Sequence, residues 1–587
     1  MTAISPSNSR GRWLAPMLVL LAGAIAYSNS LHGPFIFDDN RAILDNPQVR
    51  SLDPFKFPSK IDRGISGRPM LIFSFAVDYA IAGLHREIYH ITNLLIHLVS
   101  SLFLYGIVRR TLLSSKVAGD HFASNAHVPA AIVALLWVVH PLTTQSVDFI
   151  VQRAESLAGM FVLATIYFTI RLTSGSKWWG TAAVLACACG IATKELAVVA
   201  PILALLYDRT FIAGSFKDAL ARRWRFYLAL AATWLLILYS LRTGGRGEMV
   251  GFNLGISPLD YARTELNVIA RYLRLAFWPT DLTFDYADWP LAWRWSDVSL
   301  EGWFVLAIAV MFAFCLYLRP WLGFLGAWFF LILAPTSSFL PIKQEAAAEQ
   351  RMYLPLAAVI CLVVISISTL VEHRRILRRL SVLAACAVAV ALTSLTLARN
   401  QQYSDAVTIW TDTVLKRPGN ARARYNLGQV WAKISFSYPP NSPEAQAAKR
   451  NAQQQFQIVH EMDASISSEL FAQRELYERA GDLAAAEDVY TKALAQYPGM
   501  ASDLLVQRGN LRARHHDWAD AQADYLAAIE STPTDIEPHY FLGVLYQQLG
   551  DWKNAEDQFS QTLAINPTYK DAVARLQSVR HSSGTTP

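Results

Sequence analysis

The stretch Phe35-Ile36-Phe37-Asp38-Asp39-Asn40 sets two adjacent carboxylates just past the first hydrophobic run of the chain. Carboxylates are costly to desolvate beside a membrane, so such a pair faces water or has a purpose. Read as chemistry, one carboxylate takes the proton of an attacking hydroxyl while its neighbour orients it or helps hold a divalent ion. Read as structure, Asp38 and Asp39 make a helix-end cap or turn with Asn40. Their place at the mouth of the first large extramembrane loop makes Asp38 and Asp39 the candidate catalytic residues. A divalent cation is the one cofactor this pattern leaves open.

Other polar groups gather near span ends. Arg68 precedes Pro69, and Tyr89-His90-x-x-Asn93-x-x-x-His97 opens a long apolar helix. His90, Asn93 and His97 fall at i, i+3 and i+7 and share one helical face. Without further ligands of clear spacing, that face suits helix–helix hydrogen bonding or substrate positioning better than zinc. His140-Pro141, Arg153-Ala154-Glu155 and Lys194-Glu195 recur in the same setting, with Lys194 pairing to Glu195 or Glu155. Glu349-Gln350-Arg351-Met352-Tyr353-Leu354-Pro355 begins a late span. There Arg351 either grips a phosphate through two parallel bonds or snorkels as an interfacial anchor. No Gly-rich phosphate loop, Ser/His/Asp arrangement or spaced Cys/His set is present, which disfavours an ATP-driven pump or a soluble hydrolase.

Positioning these groups falls to membrane helices. The chain has 587 residues, 53% hydrophobic and 17% charged; a soluble protein averages roughly 25% charged. Splitting it near residue 400 separates apolar runs of bilayer length from a polar, Ala-rich remainder. Spans are predicted near 13–31, 88–108, 128–146, 155–172, 178–193, 195–212, 226–242, 301–318, 321–340, 353–371 and 381–398, eleven in all. The first reads as a retained span and not a cleaved signal peptide. Met70–Gly83 carries Asp78 and suits a re-entrant or interfacial helix, as does 258–279. All five cysteines fall in predicted spans and form no disulfide framework or metal cluster. The net charge of +6 comes from basic residues beside the spans, with no single basic face, so nucleic acid is not an expected partner.

The positive-inside rule orients the bundle. With the N-terminus in the cytoplasm, the clusters at Arg109/Arg110, Arg171/Lys177, Arg209–Arg225, Arg319 and Arg374–Arg379 all lie inside. The loops 32–87 and 243–300 then lie outside with everything after residue 399. The expected location is a bacterial inner membrane with a periplasmic C-terminal domain, or an endoplasmic reticulum membrane with a luminal one.

That domain is repetitive. Leu542-Gly543, Tyr546, Gly550-Asp551-Trp552, Ala555, Phe559 and Pro567 echo Arg508-Gly509, Asp517-Trp518, Ala521, Tyr525, Ala528 and Pro533. Gly509 and Gly543 stand 34 residues apart, the tetratricopeptide period. An earlier unit carries Gly481-Asp482, Ala486, Tyr490, Ala493 and Pro498, and a divergent one begins near Tyr403. Residues 432–466 are irregular and read as an insertion or a degenerate repeat. The expected organisation is all-α: a membrane domain over 1–399, repeats over 400–580 and a flexible tail at 581–587. Trp518 and Trp552 are expected in the repeat core.

Taken together, the Phe37-Asp38-Asp39 loop, Tyr89 through His97, His140-Pro141, Arg153-Ala154-Glu155, Lys194-Glu195, Glu349 through Pro355 and the trailing repeats resemble one family. It is the transmembrane and tetratricopeptide repeat-containing O-mannosyltransferases with their bacterial relatives. The resemblance implies a GT-C fold of about 11 spans and inverting transfer of mannose or another hexose from a polyprenyl-phosphate donor to a protein hydroxyl. On it, Asp38 and Asp39 are catalytic. Arg68, His90, Asn93, His140, Arg153, Glu155, Lys194, Glu195, Arg351 and Tyr353 hold the donor phosphate or other parts of the substrate. The implied partners are the lipid-linked sugar, a protein or peptide acceptor on the repeats, and membrane lipid. The alternatives are a membrane-anchored repeat scaffold for envelope assembly and a polymerase or flippase for lipid-linked glycan. A flippase would place ionisable groups near the bilayer midplane, whereas here they concentrate at span ends.

Overall fold

Pro141 interrupts the third predicted span. It has no amide hydrogen to donate and disfavours a helical residue before it, so His140 is extended (φ −77°, ψ 127°). The helices on either side, His127–Val138 and Pro141–Asp148, meet at 55°. In this computed structural model residues 9–53, 65–114, 126–237, 255–342, 345–439, 441–462, 477, 482–496, 501–566 and 569–582 are described. Among them every regular element is helical. The end of the 226–242 span, residues 54–64 and 243–254 of the two outer loops, Gly481, Pro498, Pro567 and most of the 581–587 tail lie outside the described residues.

The chain forms two compact units, Met1–Ala423 and Arg424–Pro587. The first opens with α1 (Ser9–Ala26), α2 (Pro69–Ala82) and α3 (Arg86–Leu112). The bent pair follows as α4 (His127–Val138) and α5 (Thr144–Asp148), then α6 (Arg153–Ser174) and α7 (Trp178–Ile191). α8 (Ala200–Tyr207) is extended by a 3-10 turn before it and a π-helical turn after it. α9 (Phe216–Ala232) bends at Arg223, and α10 (Pro258–Phe277) buries Tyr261, Glu265, Val268 and Tyr272 along one face. α11 (Leu300–Leu318), α12 (Pro320–Leu333), α13 (Pro355–Leu370), α14 (Arg375–Tyr403) and α15 (Ala406–Lys416) complete the unit.

Among the described residues, five single helical segments are long and apolar enough to cross a bilayer, six with the bent pair; five shorter apolar helices accompany them, α2 among them. Val133, Trp137, Ala158, Val162, Ile166, Leu203 and Leu356 bring α4, α6, α8 and α13 into one core. Gly159 matters to that packing: a Cβ there would stand 2.9 Å from the Tyr353 ring, so only glycine lets α6 approach the start of α13 this closely. Chain direction gives the bundle two ends. The start of α3, α6 and α13 and the end of α1 and α14 share one end with the loops between them. Arg109, Arg110, Arg171 and the Arg374–Arg379 cluster mark the other.

Residues 400–423 belong to the first unit, although the repeats were expected to open at 400. Polar side chains hold them there: Asn400 donates to the Ala26 carbonyl (2.9 Å) and Lys416 to the Leu282 carbonyl (2.7 Å). The second unit begins within α16 (Ala421–Phe436) and continues through α17 (Pro443–Met462), α18 (Leu483–Gln496), α19 (Ala501–Arg514), α20 (Trp518–Ser531), α21 (Ile536–Gln548), α22 (Trp552–Ile565) and α23 (Lys570–Ser582).

Its repeats share one contact. A glycine on the first helix of each pair lies against an aromatic ring of the second: Gly509 on Tyr525, Gly543 on Phe559 and Gly428 on Phe456. The partners are 16 residues apart in the first two pairs and 28 in the third. The irregular 432–466 stretch is thus a repeat with an insertion between its helices. Trp552 is 36% exposed, outside the core expected for it.

Candidate active site

At the acidic-loop end of the first unit lies a polar cavity of about 200 Å³. Asp38, Arg41, Arg68, Lys194, Glu345 and Gln350 line it, drawn from four separate segments of the chain. Three of these groups are cations. Glu155, in the first turn of α6, pairs with the Lys194 ammonium, and Glu195 lies 3.3 Å from the Arg68 guanidinium. Arg41 makes no ion pair with another described residue. Gln350 donates to Glu345 Oε1 (3.1 Å), while its own buried Oε1 has no partner among the described residues. The cavity therefore offers positive charge, an open acceptor and two carboxylates.

The two aspartates divide. Asp39 is fully buried and accepts from the Ile36 amide at Oδ2 (3.0 Å) and the Val151 amide at Oδ1 (2.7 Å). Both its oxygens are spent on backbone, stitching the acidic loop to the turn before α6. Burial pushes the Asp39 carboxyl up, with those two amides pulling against it. Asp38 instead faces the cavity while sunk below the surface. Burial, aided by Glu345, pushes its carboxyl up to about 6, and Arg422 and Arg41 oppose the rise. A carboxylate with a raised pKa in a cleft of cations has the character of a general base.

Asp38 owes its aim to Phe37. That residue has a positive φ of 45°, uncommon for a non-glycine and worth on the order of 1–3 kcal/mol of strain. Its ring is fixed edge-on by Trp410 of α15 (5.4 Å) and by Phe284 (6.3 Å), with the Arg422 guanidinium 5.9 Å above it. Arg422 is anchored in turn by Asp285.

Several residues singled out from the sequence do not reach this cavity. Arg153 is fully buried and commits its donors to Asn93 Oδ1 (2.6 Å), the Ser74 carbonyl (3.2 Å) and the Tyr89 carbonyl (2.9 Å), with Asp78 at 2.6 Å. Asn93 also donates to the Val147 carbonyl, and His90 contacts the Gly33 carbonyl (3.0 Å). His97 bridges the Tyr353 hydroxyl and the Val138 carbonyl, both at 3.0 Å. His140 accepts from the Leu142 amide and contacts the Ala276 carbonyl. Arg351 donates to the Ala346 (2.7 Å) and Glu345 carbonyls and lies 3.7 Å from Glu265. With further donation to the Ser337 hydroxyl (3.3 Å), Arg351 shapes the loop that carries Glu345 and Gln350. Arg351, Arg153, His140, Asn93 and Tyr353 thus lie off the cavity lining, each held by other parts of the protein.

Arg41, Glu345 and Gln350 escaped the sequence reading. Gln350 lay within a motif already singled out, but in the tight turn Glu349–Met352 neighbouring side chains point different ways. For a divalent ion, the cavity carries the carboxylates Asp38 and Glu345. No three His, Cys, Asp or Glu side chains converge as ligands among the described residues. Asp39, the expected second ligand, is turned away from the cavity toward backbone.

In the second unit, a groove of about 600 Å³ runs between α19 and α21. Asn510, Arg514, His516, Trp518 and Phe541 line it. Trp518 thus shows a face to the groove while packing on the repeat core.

Fold and site together define a polytopic helical membrane protein with a charged cavity at one end and a repeat solenoid after it. The tetratricopeptide repeat family matches residues 393–434 and 506–570, starting inside the first unit. The protein O-mannosyl-transferase TMTC1 of Homo sapiens is 28% identical over 35% of this chain and 25% of its own length. A protein O-mannosyl-transferase of Caenorhabditis elegans is 23% identical over 72% of this chain and 61% of its own. The protein O-mannosyl-transferase TMTC3 of Homo sapiens is 22% identical over 97% of this chain and 70% of its own. The chain is similar to these TMTC proteins along its length, although the match spans only 25% of the human TMTC1 and 61% of the worm protein.

Proposed function

We propose that the first unit is a GT-C-type glycosyltransferase that moves a sugar from a polyprenyl-phosphate donor to a protein hydroxyl. The observation that carries this reading is the meeting of Asp38 with Arg41, Arg68 and Lys194 around one polar cavity at a bundle end. Asp38 accepts the proton of the acceptor hydroxyl as its oxygen bonds to the anomeric carbon. The bond from that carbon to the donor phosphate breaks with inversion, and the polyprenyl phosphate leaves with the electron pair. Arg41, Arg68 and Lys194 hold its growing negative charge in a site where such charges act strongly. Glu155 and Glu195 keep two of these cations in place, and Gln350 Oε1 is an acceptor for a sugar or acceptor hydroxyl. The names of the relatives support the sugar class and the protein acceptor. The groove of the second unit supports acceptor binding there. The direct test gives purified protein a polyprenyl-phosphate hexose and a Ser/Thr peptide; an unmodified peptide with each hexose donor tried would defeat the reading.

The pH dependence follows from Asp38. Its carboxyl titrates near 6, and only the ionised form accepts a proton. Single-turnover transfer should therefore fall about tenfold for each pH unit below 6 and level off above it. For stability the sign is opposite: a carboxyl raised on folding makes the folded state hold more protons, so its contribution declines as pH rises toward 6. A rate flat between pH 5 and 7 would remove Asp38 as the base.

We further infer that the cavity and the repeats face the non-cytoplasmic side, since the dense arginine clusters mark the opposite bundle end. Alkaline phosphatase fused at the C-terminus should be active and green fluorescent protein dark. The reverse pattern would refute this topology.

A further inference from the structure

We infer that the opposite, arginine-rich end of the bundle holds a site for one anionic phospholipid, between α4, α13 and α14. Before Thr396, α14 buries only Ala389, while Ile376 (74%), Leu380 (54%) and Leu383 (64%) stay exposed. Its first half thus stands off the bundle and opens a cleft of about 520 Å³. Val128 and Ile132 of α4, Val371 after α13, and Val382 and Leu383 of α14 form apolar walls. Arg378 and Arg379 close the end of the cleft, and Glu372 is the acidic residue on it.

Four arginines, Arg374, Arg375, Arg378 and Arg379, crowd the first turn of α14 and the residue before it, and none has an ion pair or side-chain hydrogen bond with another described residue. Glu372 does have a partner. Such a concentration of exposed guanidinium groups at a membrane helix end is relieved by an anion. The amides of Arg375, Ile376 and Leu377, which have no acceptor within the helix, add to the attraction for a phosphate.

The shape selects a lipid over a free phosphate. A phosphate ion would satisfy the guanidinium groups but leave the apolar walls, on the flank of membrane helices, unfilled. A phosphodiester headgroup against Arg378 and Arg379 with an acyl chain along Ile132 and Leu383 satisfies both. A zwitterionic lipid brings its own ammonium toward the arginines and is disfavoured. Basic pockets between membrane helices recognise anionic headgroups through this combination. The site is independent of the transfer reaction, because it lies at the other end of the bundle from Asp38.

Native mass spectrometry of the full chain, released from detergent with equal phosphatidylglycerol and phosphatidylcholine of matched chains, tests this. Phosphatidylglycerol adducts should exceed phosphatidylcholine adducts about tenfold or more. R378Q/R379Q, at exposed positions, should bring the ratio close to one without altering the unfolding temperature. R222Q/R225Q, which removes equal charge from α9, should leave the ratio unchanged. V382W, which fills the wall, should lower phosphatidylglycerol adducts even with both arginines present. Equal retention of both lipids, an unchanged ratio in R378Q/R379Q, or an equal loss in R222Q/R225Q would overturn the site. Competition by millimolar glycerol phosphate as effective as that by the lipid would mean a phosphate site without a lipid, and would overturn it too.

Discussion

Asp38→Asn should lower the turnover of sugar transfer by roughly 10²–10⁴-fold, the share a positioned general base contributes. Donor affinity and unfolding temperature should stay near wild type, because the Asp38 side chain faces the cavity and holds no other segment in place. Asp39→Ala should behave in the opposite way. It strips the acceptor from the Ile36 and Val151 amides, each a buried donor whose loss of a partner costs about 1–3 kcal/mol. Its first symptom is therefore a lower unfolding temperature, with activity lost as a consequence. Transfer kinetics and thermal unfolding measured on both variants separate the roles. Equal loss of stability in Asp38→Asn would return the pair to a structural turn, and full activity in it would move the base elsewhere, Glu345 being the other carboxylate on the cavity.

This division of labour could not be read from the sequence. Adjacent carboxylates in a loop look alike until the backbone is known; here a positive φ at Phe37 turns one toward the cavity and the other into the protein. What makes that turn tolerable is Trp410 and Phe284, neither near it in sequence. By contrast, the helical spans and the repeat period were legible, because hydropathy and a 34-residue spacing are local signals. The bend at Pro141 has a local cause as well, a proline that cannot donate inside a helix. Arg68 and Lys194, which line the cavity, stand out in the sequence because charged residues at span ends are conspicuous. The same signal marks Arg351 and Arg153, which do not line the cavity, since a charge near a membrane is conspicuous whether it meets substrate or another helix. Arg41 and Glu345 belong to no period or motif, Gln350 sits unremarked inside the Glu349 to Pro355 motif, and only the fold brings the three to the cavity.

Replacement of Arg153 should have the largest effect on folding. The guanidinium is fully buried and ion-paired to Asp78 of α2, whose other oxygen accepts from Thr92 of α3 (2.7 Å). Through Asn93, Tyr89 and Ser74 it joins α2 and α3 to the start of α6, and Phe75 lies 4.5 Å beneath its plane. Arg153→Met keeps much of the volume but leaves the Asp78 charge uncompensated, along with two carbonyls and an amide oxygen. Breaking a buried pair in this way costs about 3–5 kcal/mol, a large part of the stability of most domains. The variant should therefore fail to purify as a monodisperse species, or unfold well below wild type. Arg153→Met with Asp78→Asn, which removes the stranded charge, should recover part of that loss. If Arg153→Met instead unfolds like wild type and only binds donor more weakly, the guanidinium contacts the phosphate after all, and the cavity must extend deeper between α2 and α6 than Arg68 and Lys194 mark.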